Sequence, residues 1–341
     1  MSSQNLLIRR RGSLIEISID GTQGPSRAVC DLLTGMLTYT HKRLLRGAEQ
    51  YDAGTGERRT MEFEQRAMFT YEGEGRLVTG FGFLTRIVGA LQGRGYTLQY
   101  QDLSPHPDST VYTPDWDNVY AKIPKFRPRQ EECLHNIVNN PCGLIDAACG
   151  FGKTFIFEAL VHLFPRAKFD IVVGPKDVAT RIMRQLTGSC PNVGLVGNGA
   201  HCIGDRVTVY TAMSAKHSPG TADFLLVDEA HQLMTDHISQ VLGSTWRFSK
   251  NFGFTATPEG RMDGAHAQLE MFFGQTIFKL TYQEAVALGL VVPIEVRWLP
   301  IRIPSNPVAK ISAAVPRMRW GIWRNDQRNE AIAKDVRTNY P

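Results

Sequence analysis

The stretch that most constrains this chain is Ala147-Ala148-Cys149-Gly150-Phe151-Gly152-Lys153-Thr154. An apolar run, Gly143-Leu144-Ile145, leads into it, and Phe155-Ile156-Phe157-Glu158-Ala159-Leu160 follows with helical spacing. A strand, a glycine-bearing turn and a helix start in that order put backbone N–H groups and a helix N-terminus where a phosphate can sit. Gly150 and Gly152 let the backbone curl with no Cβ in the way. Lys153 is placed to reach terminal phosphates, and the Thr154 hydroxyl to join the shell of a Mg²⁺ ion. Cys149, Gly150, Phe151, Gly152, Lys153 and Thr154 are therefore candidate nucleotide-binding residues. The usual pattern begins with Gly where this chain has Ala147. Taken alone, the stretch also reads as an ordinary strand–helix corner. With phosphate as its partner, Lys153 is expected to leave no buried carboxylate unpaired when it is removed.

Phe224-Leu225-Leu226-Val227 is a continuous apolar run, the pattern of a parallel strand buried on both faces, and it ends in Asp228-Glu229-Ala230-His231. Two carboxylates at a strand tip, one for Mg²⁺ and one for water, are what phosphoanhydride hydrolysis requires. The plainer alternative, that they only cap the next helix, does not explain their pairing with a phosphate loop on one sheet edge. Phe252-Gly253-Phe254-Thr255-Ala256-Thr257-Pro258 is a third strand ending in small hydroxyl residues.

Together with Arg127-Pro128-Arg129-Gln130, these motifs resemble a superfamily-two helicase over about residues 123–341. The runs Gly253–Pro258, Thr281-Tyr282-Gln283-Glu284-Ala285 and Gly289-Leu290-Val291-Val292-Pro293 look most like the XPB and UvsW branch, which handles duplex and branched DNA. The resemblance implies an α/β fold: a RecA-like P-loop NTPase domain with a mostly parallel sheet and flanking helices, preceded by a small α+β accessory domain. The boundaries expected are 1–120 for the accessory domain, 121–306 for the motor and 307–341 for a basic linker or helix leading toward a second RecA-like domain.

Residue roles follow from that resemblance. Gln130 would hold the adenine edge with its donor–acceptor amide and Arg127 would stack on the base, which favours ATP over GTP. Asp228 and Thr154 would act through Mg²⁺, Lys153 would neutralise developing phosphate charge, and Glu229 would orient and deprotonate the attacking water. His231 would link this DEAH motif to Thr255 and Thr257 and couple hydrolysis to movement; otherwise it is a structural hydrogen-bonder. Lys176, after the strand Phe169–Gly174, and Thr211, ending the strand Val207–Ala212, would hold a DNA backbone without reading its sequence.

Composition supports the class. The chain has 341 residues, 43% hydrophobic and 21% charged, enough for two globular domains, with no apolar stretch long enough to cross a bilayer. Arg9-Arg10-Arg11 is followed by polar residues rather than a signal core. The six cysteines are scattered without a C-x-x-C pair; His201-Cys202 near Cys190 falls short of a four-ligand zinc site. These features suit a reducing, cytoplasmic setting, that of a bacterium or phage-infected host. Residues 1–120 hold 13 Lys/Arg against 14 Asp/Glu, whereas 291–341 hold 9 against 4. There Arg317, Arg319 and Arg324 interleave with Trp320 and Trp323, suiting either a nucleic acid or an ordinary solvated helix.

In the first 120 residues, 6–8 and 14–19 read as a hairpin, 25–35 as a helix, 37–40 and 67–71 as strands around a polar loop at 51–60. Residues 83–91 read as a helix, 96–100 as a strand, and the proline-bearing 103–120 as a linker. Arg9–Arg11 is a candidate DNA contact or a solvated turn. Further on, 294–303 reads as a strand and 325–336 as a helix, leaving too little chain for the second RecA-like domain that supplies arginine fingers in the family. The chain is expected to be part of a longer motor, or a half-motor completed by a partner in trans. The function implied is an ATP-dependent helicase or translocase on forked or branched duplex and single-stranded DNA in replication, recombination or repair. A duplex translocase without strand separation and an ATP-gated DNA-binding module without turnover stay open beside it; an RNA helicase fits the run Thr281–Pro293 less well.

Overall fold

The computed structural model describes residues 5–44, 61–103, 109–123, 125–217, 220–233, 248–257, 266–294, 296, 298, 308–309, 311 and 313–339. Met1–Val291 form one compact unit and Val292–Pro341 a second.

The first unit begins with a small sheet built from β1 (Asn5–Arg11), β2 (Leu14–Ser18), β5 (Phe69–Glu72), β6 (Arg76–Gly80) and β7 (Thr97–Asp102). Their order is β5-β6-β2-β1-β7, antiparallel except where β1 pairs with β7. Period-two alternation buries Leu6, Ile8, Ile15 and Ile17 on one face. Helices α1 (Arg27–Met36) and α2 (Leu84–Gln92) cover that face with Val29 and Leu33, and with Ile87 and Leu91. The i, i+4 spacing sets each pair on one helical stripe. β3 (Thr38–Leu44) and β4 (Met61–Ala67) form a separate two-stranded ribbon. The expected strand 67–71 thus divides at buried Met68, whose N–H bonds the Leu37 carbonyl; the loop 51–60 lies outside the described residues.

The linker reading of 103–120 needs correction. Ser109–Tyr112 is a 3₁₀ turn and Trp116–Lys122 is a helix, α3. Asp115 caps it by accepting from the Asn118 N–H at 2.9 Å, Val119 is fully buried, and Trp116 stacks on His135 with ring centroids 4.3 Å apart. Pro114 marks a helix start, not a flexible tether.

An eight-stranded sheet follows, in the order β11-β10-β12-β9-β13-β14-β8-β15. Its strands are β8 (Cys142–Ala147), β9 (Phe169–Val173), β10 (Gly194–Gly197), β11 (Ala200–Cys202), β12 (Val207–Thr211), β13 (Phe224–Asp228), β14 (Lys250–Thr255) and β15 (Thr276–Leu280). Every pairing is parallel except the β10–β11 hairpin. Every residue of β9, β12 and β13 is buried, and burial on both faces accounts for the unbroken apolar run Phe224–Val227 of β13. One face carries α3, α4 (Gln130–Val138), α5 (Lys153–Leu163) and α6 (Lys176–Thr187). The other carries α7 (Ala212–Ala215), α8 (Ala230–Leu233) and α9 (His266–Phe273). β14 lies between β8 and β13, so the three motif-bearing strand ends are neighbours on one edge.

The five-stranded sheet is packed against the domain of the eight-stranded one. A Cβ on Gly82 would stand 2.0 Å from the Glu270 carbonyl oxygen of α9, and one on Gly80 2.2 Å from that of Met271. Arg10 is only 5% exposed: it lies over the Phe81 ring, reaches Asp102 at 3.3 Å and donates to the Ser249 carbonyl at 2.6 Å. Arg9 bonds Gln101 and the Gly21 carbonyl. Of the candidate DNA contact or solvated turn at Arg9–Arg11, Arg10 is buried and Arg9 half-buried in bonds within the fold, and only Arg11 of the three is exposed.

In the second unit, α11 (Ala314–Met318) and α12 (Asp326–Asn339) are joined by a π-helical turn at Arg319–Trp323. Arg324 sits 5.6 Å over the Trp320 ring, while Trp320 and Trp323 remain exposed. Of the strand expected at 294–303, the described residues Ile294, Val296 and Trp298 are exposed and in no strand. Alternation makes a strand only where a neighbouring chain takes up its N–H and C=O groups.

Candidate active site

β8 hands the chain to the glycine turn. Ala148 N–H donates to the Leu280 carbonyl at 3.1 Å, and Phe151 N–H closes the turn on the Ala148 carbonyl at 3.2 Å. Gly150 and Gly152 have φ of 88° and 92°, the left-handed region that a side chain rarely adopts. Between them the Phe151 ring is fully buried and stacks on Phe278, so this candidate offers a ligand only its backbone. Cys149 is exposed. Gly152 is the N-cap of α5, Lys153 its first residue and Thr154 its second.

Gln130 is 1% exposed, and its amide spans two backbones. Its Oε1 accepts from the Arg127 N–H at 2.9 Å, and its Nε2 donates to the Phe151 carbonyl at 2.8 Å. Arg127 Nη1 donates to the Gly150 carbonyl at 3.3 Å. These two candidates thus buttress the turn. Neither Gln130 nitrogen nor oxygen is without a protein partner, which a role at an adenine edge has to share with the second lone pair or proton of each atom.

On the opposite side, β13 delivers Asp228 and Glu229. Lys153 Nζ lies 2.6 Å from Glu229 Oε1 and 3.6 Å from Asp228 Oδ1. Burial pushes the Asp228 carboxyl above the ordinary aspartate range against the opposing pull of Lys153. Glu229 has φ 47°, an uncommon backbone conformation for this residue type, and its N–H donates to Asp228 Oδ1 at 3.0 Å. His231 Nδ1 lies 2.8 Å from Thr255 Oγ1 and 3.5 Å from Glu229 Oε2. Thr257 N–H donates to Thr255 Oγ1 at 3.1 Å, completing a chain from the carboxylate to the end of β14.

The donor set fits Mg²⁺. Asp228 is a buried carboxylate held by one backbone N–H and a distant ammonium, and Thr154 Oγ1 has no hydrogen-bond partner among the described residues. Hard oxygens short of positive charge are what this ion takes. The described residues hold no cluster of three or more His, Cys, Asp or Glu able to bind a metal, so the Asp228–Thr154 pair would need water and phosphate oxygens to complete a Mg²⁺ shell.

Lys176 is exposed as the first residue of α6, on the same sheet edge. Thr211 is only 3% exposed and caps α7, accepting from the Ser214 N–H and donating to Ser214 Oγ. The structure therefore brings the nucleotide and coupling candidates together and sets Lys176 and Thr211 farther along the edge.

Arg129 was not singled out by its residue type. It has φ 66°, makes a two-pronged contact with Glu132, and donates to the Lys279 carbonyl at 3.0 Å. Only the fold reveals that link, because β15 is distant in sequence and adjacent in the sheet.

Residues 123–260 match the family model described as type III restriction enzyme, res subunit. No curated protein sequence matches the chain. One solved structure, the UvsW helicase from bacteriophage T4, is 14% identical with a TM-score of 0.57, covering 81% of this chain and 100% of that one. A second T4 UvsW structure is 14% identical with a TM-score of 0.53, and the match spans 81% of this chain but 57% of that one. The chain thus shares the fold of these two structures, a small mixed sheet with its helices followed by a RecA-like, mostly parallel α/β sheet.

Proposed function

We propose that this chain, whose residues 123–260 match the type III restriction enzyme res-subunit family, is the ATP-binding part of a DNA helicase or translocase acting on forked or branched DNA in replication, recombination or repair. The observation that carries the reading is the convergence of Lys153, Asp228 and Glu229, with Nζ–O distances of 3.6 and 2.6 Å, beside the His231–Thr255 contact. Binding would place the triphosphate along the Gly150–Gly152 turn and the α5 N-terminus. Lys153 would transfer its ion pair from Glu229 to phosphate oxygens. The freed Glu229 carboxylate would accept a proton from water as the water oxygen bonds the γ-phosphorus and the bond to the leaving ADP oxygen breaks. Mg²⁺, held by Asp228 and Thr154, would supply charge neutralisation on the phosphate oxygens. His231 and Thr255 would pass the change at Glu229 to Thr257.

Lys176 and the Thr211 end of β12 would track a DNA backbone, on single strands and duplex arms alike, without sequence preference. A second RecA-like domain, in cis or in trans, would complete the motor. A cytoplasmic setting is part of the proposal and suits the unpaired cysteines. No described helix is long and apolar enough to cross a membrane.

The test is steady-state ATP hydrolysis with and without forked DNA, followed by strand separation and triplex displacement. DNA-stimulated hydrolysis with fork unwinding supports the reading. Triplex displacement without unwinding would make it a duplex translocase, and DNA binding gated by ATP without turnover would make it a binding module.

A further inference from the structure

The phosphate turn has a wall that its motifs do not include. Helix α10 (Tyr282–Ala287) begins with a capping box, Thr281 and Glu284 each bonding the other's backbone N–H. It ends at Gly289, φ 68°, where Gly289 N–H bonds the Val286 carbonyl and Leu290 N–H the Ala285 carbonyl. That pair of bonds is a Schellman ending, which fixes the direction in which the chain leaves the helix. It leaves toward the turn. A Cβ on Gly150 would stand 2.6 Å from Val291 Cγ1 and 3.3 Å from the Leu290 carbonyl oxygen. On the far side, a Cβ on Gly152 would stand 2.8 Å from Gln130 Nε2.

The two walls are tied together. Arg129, next to Gln130, lies 3.5 Å from Glu284 and bonds the Lys279 carbonyl, while Ala148 N–H bonds the Leu280 carbonyl. Gly150 and Gly152 are thus confined from both sides in conformations that free glycine shares with many others.

We infer that Leu290–Val291 is a positioning element for the phosphate turn, and that Val291 is the residue that holds Gly150 in its phosphate-accepting conformation. Val291 touches no phosphate itself; it acts through Gly150. Truncating it lets the turn sample other conformations and weakens phosphate recognition while leaving contacts to the base intact. The inference rests on the nucleotide-binding reading above.

The experiment measures affinity for Mg·ATP, by competition with a fluorescent ATP analogue, and for adenosine, in wild type, Val291→Ala, Val291→Ile and Leu288→Ala. Leu288 is on the same segment and exposed. Val291→Ala is expected to bind ATP roughly tenfold more weakly with adenosine affinity unchanged, and Val291→Ile, which keeps the β-branch, to restore it. Leu288→Ala should match wild type. Equal ATP affinity in Val291→Ala, or equal losses of ATP and adenosine, would overturn this inference alone. Wild type that binds no Mg·ATP would overturn the nucleotide reading and this inference with it.

Discussion

Lys153 Nζ stands 2.6 Å from Glu229 Oε1, so the ammonium proposed to meet a phosphate is also the partner of the carboxylate proposed to activate water. The two groups cannot serve both partners fully at once: an ammonium shifted toward phosphate relaxes its hold on Glu229. In the proposed function, substrate binding and exposure of the base are thereby linked through one side chain.

This pairing changes the expectation for Lys153→Ala. The substitution should abolish productive ATP binding, but it also strips Asp228 and Glu229 of their shared cation. Glu229's side chain is 32% exposed, which places the loss between a surface pair and a buried one, about 1–2 kcal/mol. Urea denaturation should show a cooperative transition at a lower midpoint. An unchanged midpoint would mean the pair contributes nothing to the fold.

Glu229→Gln should keep ATP and DNA binding and lower turnover by ~10²-fold or more, because an amide cannot take the proton from water. Single-turnover hydrolysis separates this from a binding defect. Near-normal rates would remove Glu229 from the role of base.

Thr255→Val deletes the hydroxyl that meets His231 Nδ1 at 2.8 Å and the Thr257 N–H at 3.1 Å, while preserving side-chain shape. Basal ATP hydrolysis should persist within a few-fold, and its stimulation by forked DNA should fall by roughly tenfold, the effect of losing one or two hydrogen bonds near 1 kcal/mol each. Full stimulation would show that the Glu229–His231–Thr255 chain carries no coupling.

The strand tips were legible because β8, β13 and β14 announce themselves locally: apolar runs ending in glycine, carboxylate or hydroxyl residues. Their convergence was legible too, since parallel strands share one functional edge. What stayed hidden depends on contacts distant in sequence. Arg10 reads as one of three surface arginines, yet Ser249 and Phe81 make it a buried tie between accessory sheet and motor. Val291 lies in the run Gly289–Pro293 that carries the family resemblance without a role for any one residue, and only the meeting of its segment with Gly150 gives it a place beside the turn. The same contacts argue against testing the accessory domain by deleting 1–120, because that would uncover Ala267 and Met271.

Asp170 gives a pH prediction independent of function. It sits within β9, between Thr208 and Leu225 of the flanking strands; its Oδ2 has no hydrogen-bond partner, and burial pushes its pKa up to about 7 against the opposing pull of Lys168. A carboxyl whose folded pKa is raised holds its proton better in the folded state. Stability is therefore undiminished below the unfolded value near 3.8 and falls as pH rises toward 7, by on the order of 4 kcal/mol. Asp170→Asn cannot ionise, so it should be more stable than wild type at pH 8, with the difference closing by pH 4. Parallel stability profiles would show that Asp170 does not titrate in this window.

Lys176 tests the DNA reading most directly. It is exposed at the start of α6, on the sheet edge that also carries the phosphate turn, and the first turn holds Asp177 as well. A lysine that meets DNA there would neutralise one backbone phosphate and release one counterion without reading a base. Lys176→Ala should therefore weaken binding to all sequences alike and flatten the log–log salt dependence by about 0.9 on duplex or about 0.7 on single strands. Fluorescence anisotropy on fork, duplex and single-strand probes across a salt series measures both quantities. Loss of affinity with an unchanged slope would mean that Lys176 shapes α6 rather than touching DNA. A sharp preference of the wild type for one base sequence would overturn backbone tracking altogether, because a motor that must step along any DNA cannot draw its grip from base contacts.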